Sequence, residues 1–203
     1  MKQGLLLSTL LVGCNTLQEN QYDVNTDVEQ QMITMRIDFG QEDGSLDWEP
    51  VNDNVMGGES VGVAEYTDSA VLFEGRVSTE NNGGFVSLRS PVAAYDLSDF
   101  TEVEISDRAQ GHNFKMVLAD RVAWWLPTFE AEIITSTDEW TTTTVSLYDF
   151  EQYEMTGYGD DSTGEPMTVE MLSQIVRIDL MNTKFADGDF QLEVDYIEFR
   201  GPV

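Results

Sequence analysis

The stretch Phe190–Phe199, FQLEVDYIEF, is the cleanest alternation of apolar and polar side chains in the chain. A period of two fits an extended strand with one buried face, because successive side chains leave a strand on opposite sides. The same texture recurs. Met32 to Phe39 forms a first run ending at Gly40. Val61 and Val63 pair with Ala70 to Phe73 around a turn at Tyr66–Ser69, and Val77–Thr79 follows. Phe85, Ser87 and Arg89 alternate with Val86 and Leu88. Val103 and Ile105 start a strand that breaks at Asp107–Asn113, and Phe114, Met116 and Leu118 resume it. Phe129, Ala131 and Ile133 lead to the Thr-rich run Trp140–Val145, and Ile175, Ile178 and Leu180 form a late strand. Helical periodicity is confined to Thr168–Gln174, behind Pro166. Nine or ten short strands with turns between them predict an all-β fold with at most one or two short helices, an antiparallel sandwich or jelly roll.

At 203 residues this is one domain with a short appendage. The formal charge of -28 disfavours nucleic acid and anionic lipid surfaces as partners and leaves cations or neutral ligands open. Most of that acidity reads as solvation. Lys2, the apolar run Leu5–Val12 and Gly13-Cys14 form a segment too short to span a membrane. The string Leu11-Val12-Gly13-Cys14 resembles the bacterial lipobox, which implies cleavage before Cys14 and acylation of it. The expected layout is a signal peptide at 1–13, a flexible acidic tether at 14–31 carrying lipidated Cys14, and a β-sandwich domain at 32–203. Asn15 after the cysteine favours the outer over the inner membrane of a two-membrane envelope. With Cys14 the only cysteine, no intrachain disulfide is possible.

Two loops hold the candidate site residues. The first, Val51–Gly62 (VNDNVMGGESVG), contributes Asp53, Asn54, Gly57, Gly58 and Ser60. The second, Asn81–Arg89 (NNGGFVSLR), contributes Asn81, Asn82, Gly83 and Gly84. Paired glycines permit a tight turn or close backbone approach, and Asx side chains can bond their own main chain. The loops either share a ligand or lock against each other. His112 is the only histidine and is expected in a surface loop, which leaves no pair for a zinc site or a second histidine for a triad. No catalytic residue is assigned. Asp160, Asp161 and Glu165 offer closely spaced oxygens among glycines, a weak candidate for structural Ca²⁺. Trp124, Trp125 and Trp140 are candidate stacking platforms.

Trp48 with VNDNVMGGES, followed by Phe73-Glu74-Gly75-Arg76-Val77-Ser78 and Glu80-Asn81-Asn82-Gly83-Gly84-Phe85, resembles the complex I intermediate-associated protein 30 (CIA30) family. Leu97-Ser98, Trp140 before Val145, Leu147–Phe150 and Gly188-Asp189-Phe190 agree in outline. The resemblance implies a galactose-binding-domain-like sandwich. Mitochondrial members look like assembly factors for respiratory complex I. Here the lipobox places the chain outside the cytoplasm, so the expectation is a membrane-anchored, non-catalytic binding or assembly module with an envelope protein or a glycan as partner. A carbohydrate-binding or carbohydrate-active accessory protein is the alternative. Arg108–Phe114 departs from the family's Gly-Asp-Gly turn.

Overall fold

The computed structural model describes residues 32–40, 47–123, 125–156 and 159–203. In chain order the strands are β1 (Met32–Asp38), β2 (Glu49–Asn52), β3 (Val61–Tyr66), β4 (Val71–Val77), β5 (Val86–Arg89), β6 (Glu102–Gln110) and β7 (Phe114–Ala119). They continue as β8 (Thr128–Ile134), β9 (Thr141–Ser146), β10 (Glu151–Thr156), β11 (Gly159–Pro166), β12 (Arg177–Asn182) and β13 (Gly188–Pro202). One short helix, α1 (Val169–Leu172), starts at Thr168, whose hydroxyl accepts the Met171 N–H.

The strands form two antiparallel sheets. Sheet A is six-stranded, ordered β3-β4-β13-β6-β9, with β1 also on β13, and sheet B is seven-stranded, ordered β11-β10-β8-β7-β12-β5-β2. This is the expected sandwich with more strands than the alternation marks. The additional ones, β2, β10 and β11, are short or polar (EPVN, EQYEMT, GDDSTGEP), so periodicity passes over them.

The long strand β13 is the spine of sheet A, pairing with β4 and β1 on one side and β6 on the other. Its alternation slips by one residue. Leu192 and Val194 face the core, then Ile197 and Phe199 do, and the ladder shifts between Val194 and Tyr196. A bulge absorbs the extra residue and keeps both halves apolar-inward.

Strand β6 does not break at Asp107 as its polar sequence suggests. It continues to Gln110, because the paired β13 and β9 satisfy its backbone. The turn falls at Gly111, whose φ of 82° and close approach to the Asp189 carbonyl, 2.0 Å from where a Cβ would stand, require glycine.

Between the sheets lies one continuous core. Phe73, Phe114 and Phe190 meet edge to face at 4.9 to 6.4 Å between centroids, an arrangement that favours aromatic rings beyond their area burial. Near β2, Trp48 stacks edge-on to Phe39 at 5.3 Å, and the Trp48 carbonyl accepts the Tyr66 hydroxyl at 2.7 Å. Burial pushes that phenol up to about 12.

Candidate functional site

The first Gly-Gly loop folds as a 3-10 turn over Asp53–Met56, closed by Gly57 at φ 95°. The turn aims the Asp53 side chain inward, where it is 2% exposed. Its Oδ1 accepts the Ser60 N–H at 2.9 Å. Its Oδ2 accepts the Ser60 hydroxyl at 2.5 Å, the Gly84 N–H at 2.6 Å and the Phe85 N–H at 3.3 Å. In return the Asp53 N–H donates to the Phe85 carbonyl at 3.3 Å.

Two glycines make room for this carboxylate. A Cβ at Gly58 would stand 2.4 Å from Asp53 Cγ, and one at Gly83 would stand 2.5 Å from Asp53 Oδ2. One glycine from each loop therefore lines the same side chain. The Ser60 hydroxyl also accepts the Ser78 N–H at 3.0 Å, tying the end of β4 into the cluster. Both carboxylate oxygens are occupied from within the protein, so the Asp53 cluster is a lock between loops. The exposed members are Asn54, Gly57, Asn81 and Asn82. Asn81 and Asn82 adopt left-handed backbone at φ 56° and 61°, and the Asn81 amide donates to Glu59 at 2.9 Å.

A third loop, 183–187, docks on the second. The Asn182 amide donates to the Gly84 and Lys184 carbonyls at 2.9 and 2.7 Å, and its oxygen accepts the Val86 N–H at 2.8 Å. At the other end, the Asp187 carboxylate accepts the Thr79 N–H at 2.7 Å and the Thr79 hydroxyl at 3.1 Å, which holds its pKa below the usual carboxylate range.

The outer face of sheet B is the second feature. Phe114, Met116 and Leu118 of β7 enter the core, so Lys115 and Val117 point outward. Register then aligns one transverse row across six strands: Glu151, Glu130, Val117, Asp179, Arg89 and Glu49. At one side a groove of about 600 Å³ is lined by Lys115, Glu130, Glu132, Glu151, Tyr153 and Phe185, among others. Glu130 and Glu151 stand directly opposite each other across β8 and β10. Such like-charge neighbours repel, and the Lys115 ammonium, which donates to Glu130, offsets that repulsion. The Tyr153 hydroxyl titrates above its ordinary value through burial, with the charges of Glu151 and Glu130 adding to it.

At the other side, Arg177 donates to Asp179 through Nε at 3.0 Å, and the Arg89 Nε lies 3.2 Å from the same carboxylate. Burial raises the Asp179 pKa while the two guanidiniums pull it down. A second hollow of about 570 Å³ opens beside them.

Sequence reasoning did not single out Lys115, Glu130, Glu151, Tyr153, Phe185 or Asn182. A signal was present for four of them: charged and aromatic residues occupy the outward positions of FKMVLA, TFEAEII and EQYEMT. Asn182 and Phe185 carried none, since their roles arise from contacts far along the chain.

Other expectations fare differently. His112 is not a surface residue: it is 7% exposed and packs beside Gly188, and burial lowers its pKa, with Lys184 contributing. Trp125 precedes β8 and Trp140 follows it, and both are exposed. The Arg108 guanidinium lies 5.6 Å from the Trp140 ring. Cys14, the tether and Trp124 lie outside the described residues, as does the Asp160 side chain. Asp161 and Glu165 are exposed on β11. Among the described residues no three His, Cys, Asp or Glu side chains are grouped to hold a metal ion.

Solved structures share this fold at low identity. The family 11 carbohydrate-binding module from Clostridium thermocellum, in complex with a beta-1,3-1,4-mixed-linked tetrasaccharide, superposes with a TM-score of 0.61 at 16% identity, covering 84% of this chain and 96% of that one. The family 11 module of a cellulosomal cellulase from the same organism gives 0.58 at 15%, covering 84% and 95%. An agarase gives 0.52 at 14%, covering 82% of this chain and 24% of the agarase. Among curated proteins, none matches the chain. The sequence profile of complex I intermediate-associated protein 30 matches residues 37–194, which include Asp53, both Gly-Gly loops and most of both sheets. The chain belongs to the CIA30 family.

Proposed function

We propose that this CIA30 protein is a non-catalytic binding module that holds a neutral glycan in the groove on the outer face of sheet B. The carrying observation is the composition of that groove: two aromatic side chains, Tyr153 and Phe185, beside Glu130, Glu132, Asp149 and Glu151, with Lys115 the one basic side chain lining it among the described residues. Carboxylates accept hydrogen bonds from sugar hydroxyls, and aromatic rings cover the apolar face of a pyranose. The same carboxylates, in a chain of net charge -28, disfavour uronates and other polyanions. Glu130 is engaged by Lys115, an arrangement for positioning rather than for a free general acid. The beta-1,3-1,4-mixed-linked tetrasaccharide held by the fold neighbour makes a β-glucan of that linkage the first probe.

The test is affinity electrophoresis and titration calorimetry of the domain against mixed-linked β-glucan, other neutral polysaccharides and a polyuronate. The expected result is retention by a neutral polymer and none by the polyuronate. Tyr153→Ala should weaken binding tenfold or more, about 1.4 kcal/mol, with an unchanged thermal midpoint. Absence of retention by every neutral polymer would overturn this function.

The same proposal puts the module on the outer membrane of a bacterial envelope, held by lipidated Cys14 and reaching out on the tether. Support comes from the lipobox-like Leu11–Cys14 and from Asn15. Cys14→Ser should release the protein from membrane fractions or leave it unprocessed; unchanged processing and fractionation would exclude the anchor. Structural Ca²⁺ at Asp160, Asp161 and Glu165 is a separate proposal, and a thermal midpoint that millimolar Ca²⁺ leaves unmoved against a chelator control would refute it.

A further inference from the structure

We infer that Phe185 is the aromatic wall of the groove and that the two Gly-Gly loops act by holding it there. The inference rests on the glycan reading for the identity of the ligand, while its mechanical half stands on contacts alone.

Phe185 exposes 54% of its surface and is not a member of the core cluster, so the sandwich gains little from it. An exposed large apolar ring on a connecting loop would ordinarily move freely. This one is fixed. Its ring edge rests on Gly84, where a Cβ would stand 2.6 Å from Phe185 Cδ1 and 3.0 Å from Phe185 Cβ, and Gly84 holds φ at 138°, a backbone state that side chains rarely adopt.

The loop that carries the ring is pinned along its length. Asn182 fixes its start to Gly84 and Lys184, and the Thr183 N–H donates to the Asn113 carbonyl at 3.0 Å. The Ala186 N–H donates to the Lys184 carbonyl at 3.0 Å, closing a tight turn around Phe185. Asp187 fixes the end of the loop to Thr79. Gly84 is positioned in its turn by the buried Asp53 carboxylate, which takes the Gly84 and Phe85 N–H groups.

The chain of contacts therefore runs from Asp53 to Gly84 to Phe185, and Phe185 ends in the groove with Tyr153, Glu151 and Lys115. A ring ordered during folding loses no freedom when a ligand arrives, so its contact area contributes to affinity undiminished. The family's paired-glycine signature thus frames a binding surface while its own carboxylate stays out of reach.

The test compares Phe185→Ala, Phe185→Trp and Gly84→Ala with Tyr153→Ala, using mixed-linked β-glucan as the probe. Phe185→Ala should lose tenfold or more in affinity with the thermal midpoint unchanged. Phe185→Trp should restore binding and change its fluorescence when the polymer is added. Gly84→Ala should lose binding with Phe185 intact, and should speed hydrogen exchange at the Thr183 and Ala186 amides. Wild-type affinity in Phe185→Ala alongside lost affinity in Tyr153→Ala would overturn the role of Phe185 and leave the groove standing. A midpoint several degrees lower in Phe185→Ala would make the ring structural and also overturn it. Wild-type affinity in both variants would remove the groove itself. Hydrogen exchange reads the mechanical half without any ligand: unchanged rates at Thr183 and Ala186 in Gly84→Ala would refute it.

Discussion

Two buried aspartates in this sandwich have opposite surroundings. Asp53, 2% exposed, accepts the Ser60 hydroxyl and three backbone N–H groups within its two loops. Asp107, wholly buried on β6, has no hydrogen-bond partner for either oxygen among the described residues. It shares the inward phase of Val103, Ile105 and Ala109, and its cross-strand neighbours are Val194 on β13 and Thr141 on β9. A carboxylate ringed by donors has its lone pairs satisfied, whereas one facing hydrocarbon is stabilised by taking up a proton. Burial alone therefore does not say whether an acid strengthens a fold; the donors around it do.

The largest effect is expected at the satisfied acid. Asp53→Ala removes the acceptor for the Ser60, Gly84 and Phe85 N–H groups and the Ser60 hydroxyl at once, leaving a space that Gly58 and Gly83 cannot fill. Loss of several charge-assisted bonds in a buried site should cost about 4 kcal/mol, read as a lower urea midpoint with an unchanged slope. Asp53→Asn, which keeps one acceptor oxygen, should cost roughly half of that. A loss below about 1 kcal/mol in Asp53→Ala would mean that the loops hold each other without the carboxylate, and the contrast with Asp107 would collapse.

Much of this was legible in the chain before its fold was known, and the reason differs by level. Alternation is a local property, so the strands of the core announced themselves and the two-sheet fold followed. Strands β2, β10 and β11 did not, because edge and near-edge strands with two polar faces lack the pattern. The paired glycines flagged the importance of Asp53, but sequence could not separate a ligand contact from a lock. That distinction depends on Gly84 and Phe85 arriving some thirty residues later to occupy Oδ2, while the Ser60 N–H takes Oδ1. The groove was less visible still. Lys115 and Glu130 meet through the β7–β8 register, and Phe185 reaches them through Asn182 and Gly84, contacts that span the chain. Asp107 was misjudged as a strand break for a simple reason. A charged residue in an apolar phase reads as a turn unless the neighbouring strands are known to continue past it.

Asp107 supplies the smaller effect and the sharper contrast, because its sign depends on pH. Burial pushes its carboxyl up to about 7 from an ordinary value of 3.8. The folded state therefore holds the proton more tightly than the unfolded state between those values, and stability falls as pH rises across that window. Below pH 4 both states are protonated and Asp107 costs nothing as a charge. Above pH 7 the folded protein carries an unpaired buried carboxylate, a penalty of about 2 kcal/mol once relaxation around the charge is allowed for. Asp107→Asn removes the charge at every pH while keeping the shape. The variant should match wild type near pH 4 and exceed it by that margin at pH 8, measured as urea stability at each pH. Asp53→Asn, by contrast, should be destabilised at pH 8. If Asp107→Asn instead tracked wild type across the whole range, the Asp107 carboxylate would have a donor in solution, and the two aspartates would belong to one class.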